Sequence, residues 1–327
     1  MARNLLYPIH NVGRPALHNV KPVLAKTQSN SAVVFFDGDG AIFRVIMMKT
    51  MSTAKRAALI VLSLLLSAGR GYADDVRVMT SGAFTAALVE LAPAFERATR
   101  HRIVVGATTS SGPDSIQNRL QRGEPVDVII MADTALDGFI KNGTLVAASR
   151  VDLVRSAIGM AVRAGAPRPD VSSIDAFTRA LLQAKSIAYS ASVSGVYLST
   201  ELFQRLGIAD QVLPKSRRIE GERVGTVVAR GDAEVGFQQV SELLPVPGIE
   251  LIGPLPPDVQ RLTVFSAAIA TSASAPDAAR ALLAFFMSPE AAPIIRRTGL
   301  EPIAGSPSSP PKVHEAAFSA GSAVTVF

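Results

Sequence analysis

The chain has 327 residues, 48% of them hydrophobic, which is enough for one large domain or two smaller ones. It contains no cysteine and only four histidines, which excludes disulfides, zinc–thiolate sites and cysteine nucleophiles. The net charge of +6 comes from residues 1–73, with 9 Lys+Arg and 2 Asp+Glu, whereas residues 74–303 hold 23 and 24. Because this long central part is near neutral, we expect no nucleic-acid partner.

The first 50 residues show no helical periodicity, but they contain the string VVFFDGDGA at 33–41. This string resembles the motif of the haloacid-dehalogenase phosphatases, and that resemblance implies Asp37 as nucleophile and Asp39 as acid–base. Ala41 stands where that family has Thr or Val. The alternative is an Asp-Gly turn in upstream sequence. We predict that residues 1–50 are a non-native or disordered extension and keep the phosphatase as a remote alternative.

Residues 51–73 have the three parts of a secretion signal. Lys55 and Arg56 form a basic start, residues 57–66 are an apolar run, and Gly71-Tyr72-Ala73 places small residues at a cleavage site. The apolar run is short for a bilayer span. We therefore predict a signal peptide, a mature chain that begins at Asp74 and a periplasmic location without stable membrane insertion. An uncleaved membrane anchor is the alternative.

Three strand–turn–helix units follow, each with small polar residues in the turn. The turns are Ser81-Gly82, Ser110-Ser111-Gly112 and the sequence SASVSG at 190–195. After the first turn, Phe84, Leu88, Leu91 and Phe95 share one face of a predicted helix. A helix start exposes unpaired N–H groups and the positive end of the helix dipole. The sequence therefore predicts an α/β fold with an anion site built from neutral donors.

The remaining elements alternate in the same way. We predict a long strand at about 153–163, a helix that Ser173 caps, and a strand AEVGFQQ that ends in Gln238 and Gln239. Because glutamine is not expected at the end of a buried strand, these two residues are equally consistent with contact to a ligand and with a position at a hinge. Residues 304–327 are rich in Ser, Pro and Ala and are predicted to be a disordered tail.

In their order, these segments resemble the molybdate-binding (ModA-like) proteins of ABC importers. The resemblance rests on VMTSGAFTAALVELAPAFE, SSGPDSIQNRLQRGEPVDVIIMAD, SGVYLSTELFQRLG and ARGDAEVGFQQVSELL. It implies a two-lobed type II periplasmic-binding-protein fold that the chain crosses twice. One lobe would be residues 74–153 with 241–303, and the other would be residues 154–240. It also implies a small anion in the cleft, an ABC permease as partner, and lobe closure about the 153/240 hinge.

The resemblance implies a set of ligand contacts with some departures from the family. Ala83 stands where the family has a serine, next to Ser81 and Gly82, and Gln239 or Gln238 stands where it has a tyrosine. The predicted contacts are Ser81, Gly82, Ala83, Ser110, Ser111, Gly112, Ser194, Gly195, Val224, Gln238 and Gln239. Molybdate or tungstate is the first ligand expected, and the two lost hydroxyls favour another small anion, including an organic one.

Three charged residues leave the ligand class open. If Arg155 or Arg223 faces the cleft, the ligand carries carboxylates or phosphate, which arginine binds in a bidentate way. If Asp114 faces it, a ligand with a proton to donate is favoured.

The sequence has no GxSxG, HExxH or phosphate-loop motif. We therefore expect a monomeric binding protein that is not an enzyme and uses no metal or cofactor. A regulatory effector domain shares this fold, but no helix-turn-helix precedes residue 74.

Overall fold

The computed structural model describes residues 24–27, 30–33, 73–109 and 111–303. The chain divides into two compact units, Met1–Gly71 and Tyr72–Phe327. In the first unit, β1 (Leu24–Thr27) pairs antiparallel with β2 (Asn30–Val33). The predicted features outside the described residues are Asp37, Asp39, Ser110, all but the last residue of the signal segment 51–73, and the tail 304–327.

The second unit contains two β-sheets. Its strands are β3 (Asp75–Thr80), β4 (Arg102–Ala107), β5 (Val128–Ala132), β6 (Val151–Ser156), β7 (Ile158–Arg163), β8 (Ile187–Ser190), β9 (Ser216–Ile219), β10 (Val235–Gln239), β11 (Ile249–Pro254), β12 (Thr263–Ile269) and β13 (Glu301–Pro302). One sheet has the order β13-β6-β12-β5-β3-β4 and the other the order β11-β7-β10-β8-β9. In each sheet some neighbouring strands are parallel and others antiparallel. The predicted two-lobed α/β fold is confirmed, with one sheet at the centre of each lobe.

The helices connect these strands and cover the sheets. They are α1 (Gly82–Thr99), α2 (Ile116–Gln121), α3 (Asp133–Lys141), α4 (Ile174–Gln183), α5 (Val193–Tyr197), α6 (Phe203–Arg205), α7 (Ala209–Val212), α8 (Val224–Arg230), α9 (Val240–Leu243), α10 (Pro276–Phe286) and α11 (Ala292–Arg297). A π-helical turn, Leu198–Leu202, links α5 and α6, and short 3-10 turns lie at Ala147–Ser149, Leu213–Lys215 and Pro257–Val259. None of the helices in the described ranges is long and apolar enough to cross a membrane.

Helix α1 is the largest contributor to the core of the first lobe. The predicted apolar face is confirmed, because Phe84, Leu88, Leu91 and Phe95 are all fully buried. The ring of Phe84 meets that of Phe286 edge to face, with centroids 5.3 Å apart. Burying a side chain of this size contributes about 1.5–3 kcal/mol. The helix is therefore fixed firmly to its sheet, and so is the position of its first turn.

The chain crosses between the lobes twice, at places that differ from the predicted boundaries. The expected single strand at 153–163 is two strands, β6 and β7, which belong to different sheets and are separated by Ala157. Strand β11 was assigned to the first lobe, as part of 241–303, but it pairs antiparallel with β7 in the second lobe. The second crossing therefore falls between Pro254 and Thr263. Pairing over such a distance leaves no local signal in an apolar segment as short as IELIG.

Candidate functional site

A cavity of about 510 Å³ lies between the two lobes. Such a volume is within the usual range for small-molecule sites. The first lobe contributes Ser81, Gly82, Ala83, Gln117, Met131, Ala132, Ala135, Gly138, Phe139, Asn142 and Phe265. The second lobe contributes Ala191, Ser192, Val193, Val196 and, from α9, Glu242. The lining is thus largely neutral, with one carboxyl group.

The first turn of α1 forms one wall of this cavity. Ser81, Gly82 and Ala83 all line it, as their predicted role requires, although their contact with a ligand stays a prediction. The first amides of an 18-residue helix have no partner within the helix and carry its positive dipole end. Ser81 is only 4% exposed, and its Oγ has no hydrogen-bond partner among the described residues. Because buried hydroxyls are normally paired, this wall is ready to donate to an anion.

The turn before α5 forms the opposite wall. The Ser190 hydroxyl donates to Ser192 Oγ at 2.9 Å, and the Ser192 amide donates to Ser190 Oγ at 3.2 Å. Ser192 lines the cavity, whereas the predicted contacts Ser194 and Gly195 are buried behind it. Gly195 packs directly on the Ser190 carbonyl, so closely that α5 can begin here only with a residue that lacks a side chain. The predicted turn therefore borders the cavity through Ser192 and not through Ser194 or Gly195, and its contact with a ligand stays a prediction.

Glu242 is the residue that the sequence reasoning missed. It is 8% exposed, and its Oε1 accepts a hydrogen bond of 2.9 Å from Gln238 Nε2. Burial raises the pKa of Glu242 to about 7, although the charge of Arg223 and the Gln238 hydrogen bond both lower it. The group therefore changes protonation near neutral pH. The available signal was an acidic residue four positions after Gln238, just beyond the end of a buried strand.

Three further predicted contacts have other partners. The side-chain oxygen of Gln238 accepts a 2.8 Å hydrogen bond from the Val224 amide, so that amide is not free for a ligand. Gln239 lies at the first crossing and does not line the cavity. With both of its amide atoms satisfied, it donates to Ser156 Oγ at 2.9 Å and accepts from Thr263 Oγ1 at 3.0 Å. Gln239 therefore joins the two segments that connect the lobes, and its hinge role stays a prediction.

The second polar turn lies away from the cavity lining. Ser110 is outside the described residues, and Ser111 and Gly112 do not line the cavity. Gly112 has a φ of +83°, and a Cβ added there would lie 3.0 Å from Gly221 Cα of the other lobe. These two predicted contacts are thus in a loop that touches the opposite lobe. Gln117 of α2, shortly after this turn, lines the cavity instead.

The three charged residues whose orientation the sequence left open are now placed. Asp114 is exposed and lies 3.6 Å from Arg122, in a surface ion pair. Arg155 is exposed on β6. Arg223 is half-buried immediately before α8, and its charge acts on Glu242. None of the three lines the cavity, and Arg223 is the one whose charge acts on a residue that does.

Gly82 is in tight contact with the Glu242 carboxyl group, and this leads to a testable coupling. A Cβ at position 82 would lie 2.1 Å from Glu242 Oε1 and 3.0 Å from its Cδ. We expect Gly82→Ala to lower the free energy of unfolding by about 1–2 kcal/mol in the wild-type background. In a Glu242→Ala background the same change should cost almost nothing, because the carboxyl group is gone. Urea unfolding of the two single variants and the double variant measures this coupling, and additive losses would contradict the contact.

The described residues hold no group of three His, Asp or Glu side chains that could bind a metal ion. The groups that line the cavity are hydroxyls, helix amides and one carboxyl group, and this chemistry can bind an anion and exchange a proton with it.

Comparison with known proteins gives two kinds of relative. Aconitate isomerase from a Pseudomonas species is 47% identical over 232 residues, covering 70% of this chain and 88% of that protein. The molybdate-binding protein ModA of Azotobacter vinelandii is 27% identical over 250 residues, covering 69% of this chain and 90% of that protein. The solved A. vinelandii periplasmic molybdate-binding protein matches with a TM-score of 0.56 at 22% identity, over 69% of this chain and 98% of that one.

These findings correct one prediction and confirm another. The expectation that the chain is not an enzyme is wrong, because a relative with 47% identity is named as an isomerase. The resemblance to molybdate-binding proteins is confirmed by both sequence and structure. The model of one protein family matches residues 76–301, which is most of the chain. The chain belongs to the bacterial extracellular solute-binding protein family.

Proposed function

We propose that this protein binds aconitate in the cavity between its lobes and interconverts its isomers. The identity of 47% to an aconitate isomerase supports the substrate. The observation that carries the proposal on structural grounds is the buried carboxyl group of Glu242 in a cavity otherwise lined by neutral donors and apolar side chains. A group of this kind is expected where a ligand exchanges a proton.

Molybdate fits this cavity less well than aconitate. Two unit charges 4 Å apart interact by about 4 kcal/mol at an effective dielectric constant of 20, so an ionised Glu242 repels any anionic ligand, aconitate included, and favours one that is long enough to hold its charges away from this carboxyl group. Aconitate is a six-carbon tricarboxylate and is longer than an oxyanion. Its carboxylates can meet the first turn of α1 and the turn at Ser192 while its methylene group faces Glu242. A volume of about 510 Å³ is large enough for this arrangement.

The reaction that we propose is a shift of one proton along three carbons. Aconitate has a methylene group next to a carbon–carbon double bond. Breaking one methylene C–H bond gives an allylic anion, whose charge spreads onto the carboxylates. Forming a new C–H bond at the former vinylic carbon moves the double bond to the other side. The product has the same formula, and its geometry about the new double bond can be cis or trans. No oxidant, metal or covalent intermediate is required.

Transport is the second candidate function, and family membership favours it. In that case the same anion would be delivered to an ABC permease after lobe closure. We also propose that residues 51–73 direct export and that the mature chain, from about Asp74, acts in the periplasm as a monomer. These proposals are compatible with isomerisation, because both functions need the ligand enclosed between the lobes.

The proposed substrate can be tested with the purified full-length chain. We expect cis- and trans-aconitate to interconvert, followed by proton nuclear magnetic resonance, and either isomer to raise the melting temperature. Ligand at 100 times its dissociation constant adds about 2.7 kcal/mol to the free energy of unfolding. The saturated analogue propane-1,2,3-tricarboxylate should bind without turnover, and molybdate should produce no shift. A large molybdate shift with none from aconitate would reverse our assignment and favour an oxyanion transporter.

A further inference from the structure

Glu242 is the one ionisable side chain among the described residues that line the cavity. Resting on the isomerisation proposed above, we infer that Glu242 is the catalytic base, which takes the methylene proton of the substrate and returns it to the other end of the allylic unit. We further assign Gln238 as the residue that positions this base. Neither role follows from the family resemblance, in which the site contains neutral donors only.

The hydrogen bonds around Glu242 leave one of its oxygens available. The Val224 amide donates to the side-chain oxygen of Gln238 at 2.8 Å. That bond identifies the oxygen as the acceptor, so the NH₂ group of Gln238 must be the end that donates to Glu242 Oε1 at 2.9 Å. Turning the Gln238 amide over would break both bonds. Oε1 is therefore held in place, and Oε2 is the oxygen that can meet the substrate.

The surroundings of Glu242 give it a pKa that suits a catalytic base near neutral pH. A catalytic base is most effective when its pKa lies near the working pH, and burial raises the pKa of Glu242 to about 7. Arg223 is the charged group that opposes this effect, and the first turn of α1, which touches Glu242, contains no acidic side chain. The base is therefore largely protonated in mild acid and ionised in mild alkali.

The first turn of α1, which is in contact with Glu242, can stabilise the negative charge that forms on the substrate. When the methylene C–H bond breaks, its electron pair enters the allylic system and the attached carboxylates, while the proton goes to Glu242 Oε2. The unpartnered Ser81 hydroxyl and the first amides of α1 can donate to a carboxylate as this charge grows. The proton then moves from Oε2 to the former vinylic carbon, and Glu242 ends as the carboxylate that it was at the start.

The test compares the full-length wild type with Glu242→Gln, which keeps the size of the side chain and can still accept from Gln238. We expect Glu242→Gln to lose turnover of aconitate by about a hundred- to ten-thousandfold. In D₂O, the wild type should introduce deuterium into recovered aconitate in those turnovers in which the proton on Glu242 exchanges with solvent before its return, and the variant should introduce none. Calorimetry with propane-1,2,3-tricarboxylate should show that the variant still binds within about tenfold of the wild type, a margin of about 1.4 kcal/mol. Glu201→Gln, at an exposed residue paired with Arg261, is the control and should retain full turnover.

Gln238→Met tests the positioning role, because it removes the donor but keeps the length of the side chain. We expect the lower apparent pKa of its pH–rate profile to rise and turnover to fall less than in Glu242→Gln. An unchanged profile would overturn the role of Gln238. Wild-type turnover and deuterium exchange in a folded Glu242→Gln variant would overturn the role of Glu242 but leave the isomerase proposal in place. A wild type that does not isomerise aconitate would overturn both.

Discussion

Glu242→Gln should make the folded protein more stable at pH 8, by about 3 kcal/mol, although we expect it to lower turnover by about a hundredfold or more. The pKa of Glu242 is raised by burial from 4.5 to about 7 in the folded protein. Each unit of difference between the folded and unfolded pKa corresponds to about 1.4 kcal/mol. The folded state favours the protonated form, so the stability of the wild type is greatest below pH 4.5 and falls as the pH rises through 7. Glutamine does not titrate and avoids this loss.

Urea unfolding of both proteins at a series of pH values from 4 to 8 checks this expectation. The two free energies of unfolding should agree near pH 4 and separate as the pH rises, with the variant the more stable. Glu201→Gln is the matched control, since the exposed Glu201 carboxyl should give no comparable gain. A Glu242→Gln protein that is less stable than the wild type at pH 8 would show that the carboxylate is well compensated in the fold. It would also remove the physical basis for a raised pKa.

A carboxyl group that weakens the fold needs a functional reason to be there. Most positions in a core favour side chains that stabilise, and the exceptions concentrate where activity requires a strained or desolvated group. The Gln238 contact and the nearby charge of Arg223 reduce the cost of Glu242 but do not remove it. This is the expected balance for a base that must be neutral in one step and charged in the next.

The fold could be predicted wherever a local pattern determined it. Phe84, Leu88, Leu91 and Phe95 follow helical spacing, and helical spacing alone indicates which face is buried. The lobe boundaries were harder to predict from the sequence. The lobe to which β11 belongs and the break at Ala157 are both decided by which distant strands pair. An apolar segment of six residues is compatible with either sheet. The choice is made by tertiary packing and is not visible in the segment itself.

The site shows the same division. The turn at Ser81 and Gly82 was predicted because a small polar turn before a helix has a direct physical meaning. Glu242 was not, because the sequence SELL is also typical of an exposed helix start. Only the packing of α9 against the first turn of α1 shows that this carboxyl group is buried. The absence of nucleophile motifs also led to the wrong prediction about activity, since the isomerisation that we propose requires a base and no nucleophile.

Gly195→Ala should destabilise the protein by about 3 kcal/mol and also weaken ligand binding. A Cβ at this position would lie 1.6 Å from the Ser190 carbonyl oxygen and 2.8 Å from Tyr189 Cδ2. Overpacking typically costs about 1–3 kcal/mol, and the upper end applies because the obstacle is backbone. Ser190 ends β8, which is paired with β9 on one side and β10 on the other, so its carbonyl has little freedom to move.

The helix must therefore give way instead of the strand. Helix α5 would move away from β8 and take with it Ser192, Val193 and Val196, which line the cavity. With a urea dependence of about 1–3 kcal/mol per molar, the unfolding midpoint should fall by about 1–3 M. Gly138→Ala is the control for stability: a Cβ there meets nothing within 4 Å, and alanine in the interior of α3 should add about 0.5–1 kcal/mol. If Gly195→Ala unfolds at the wild-type midpoint, α5 does not rest on the Ser190 carbonyl. The position of the cavity wall that α5 forms would then not depend on this contact.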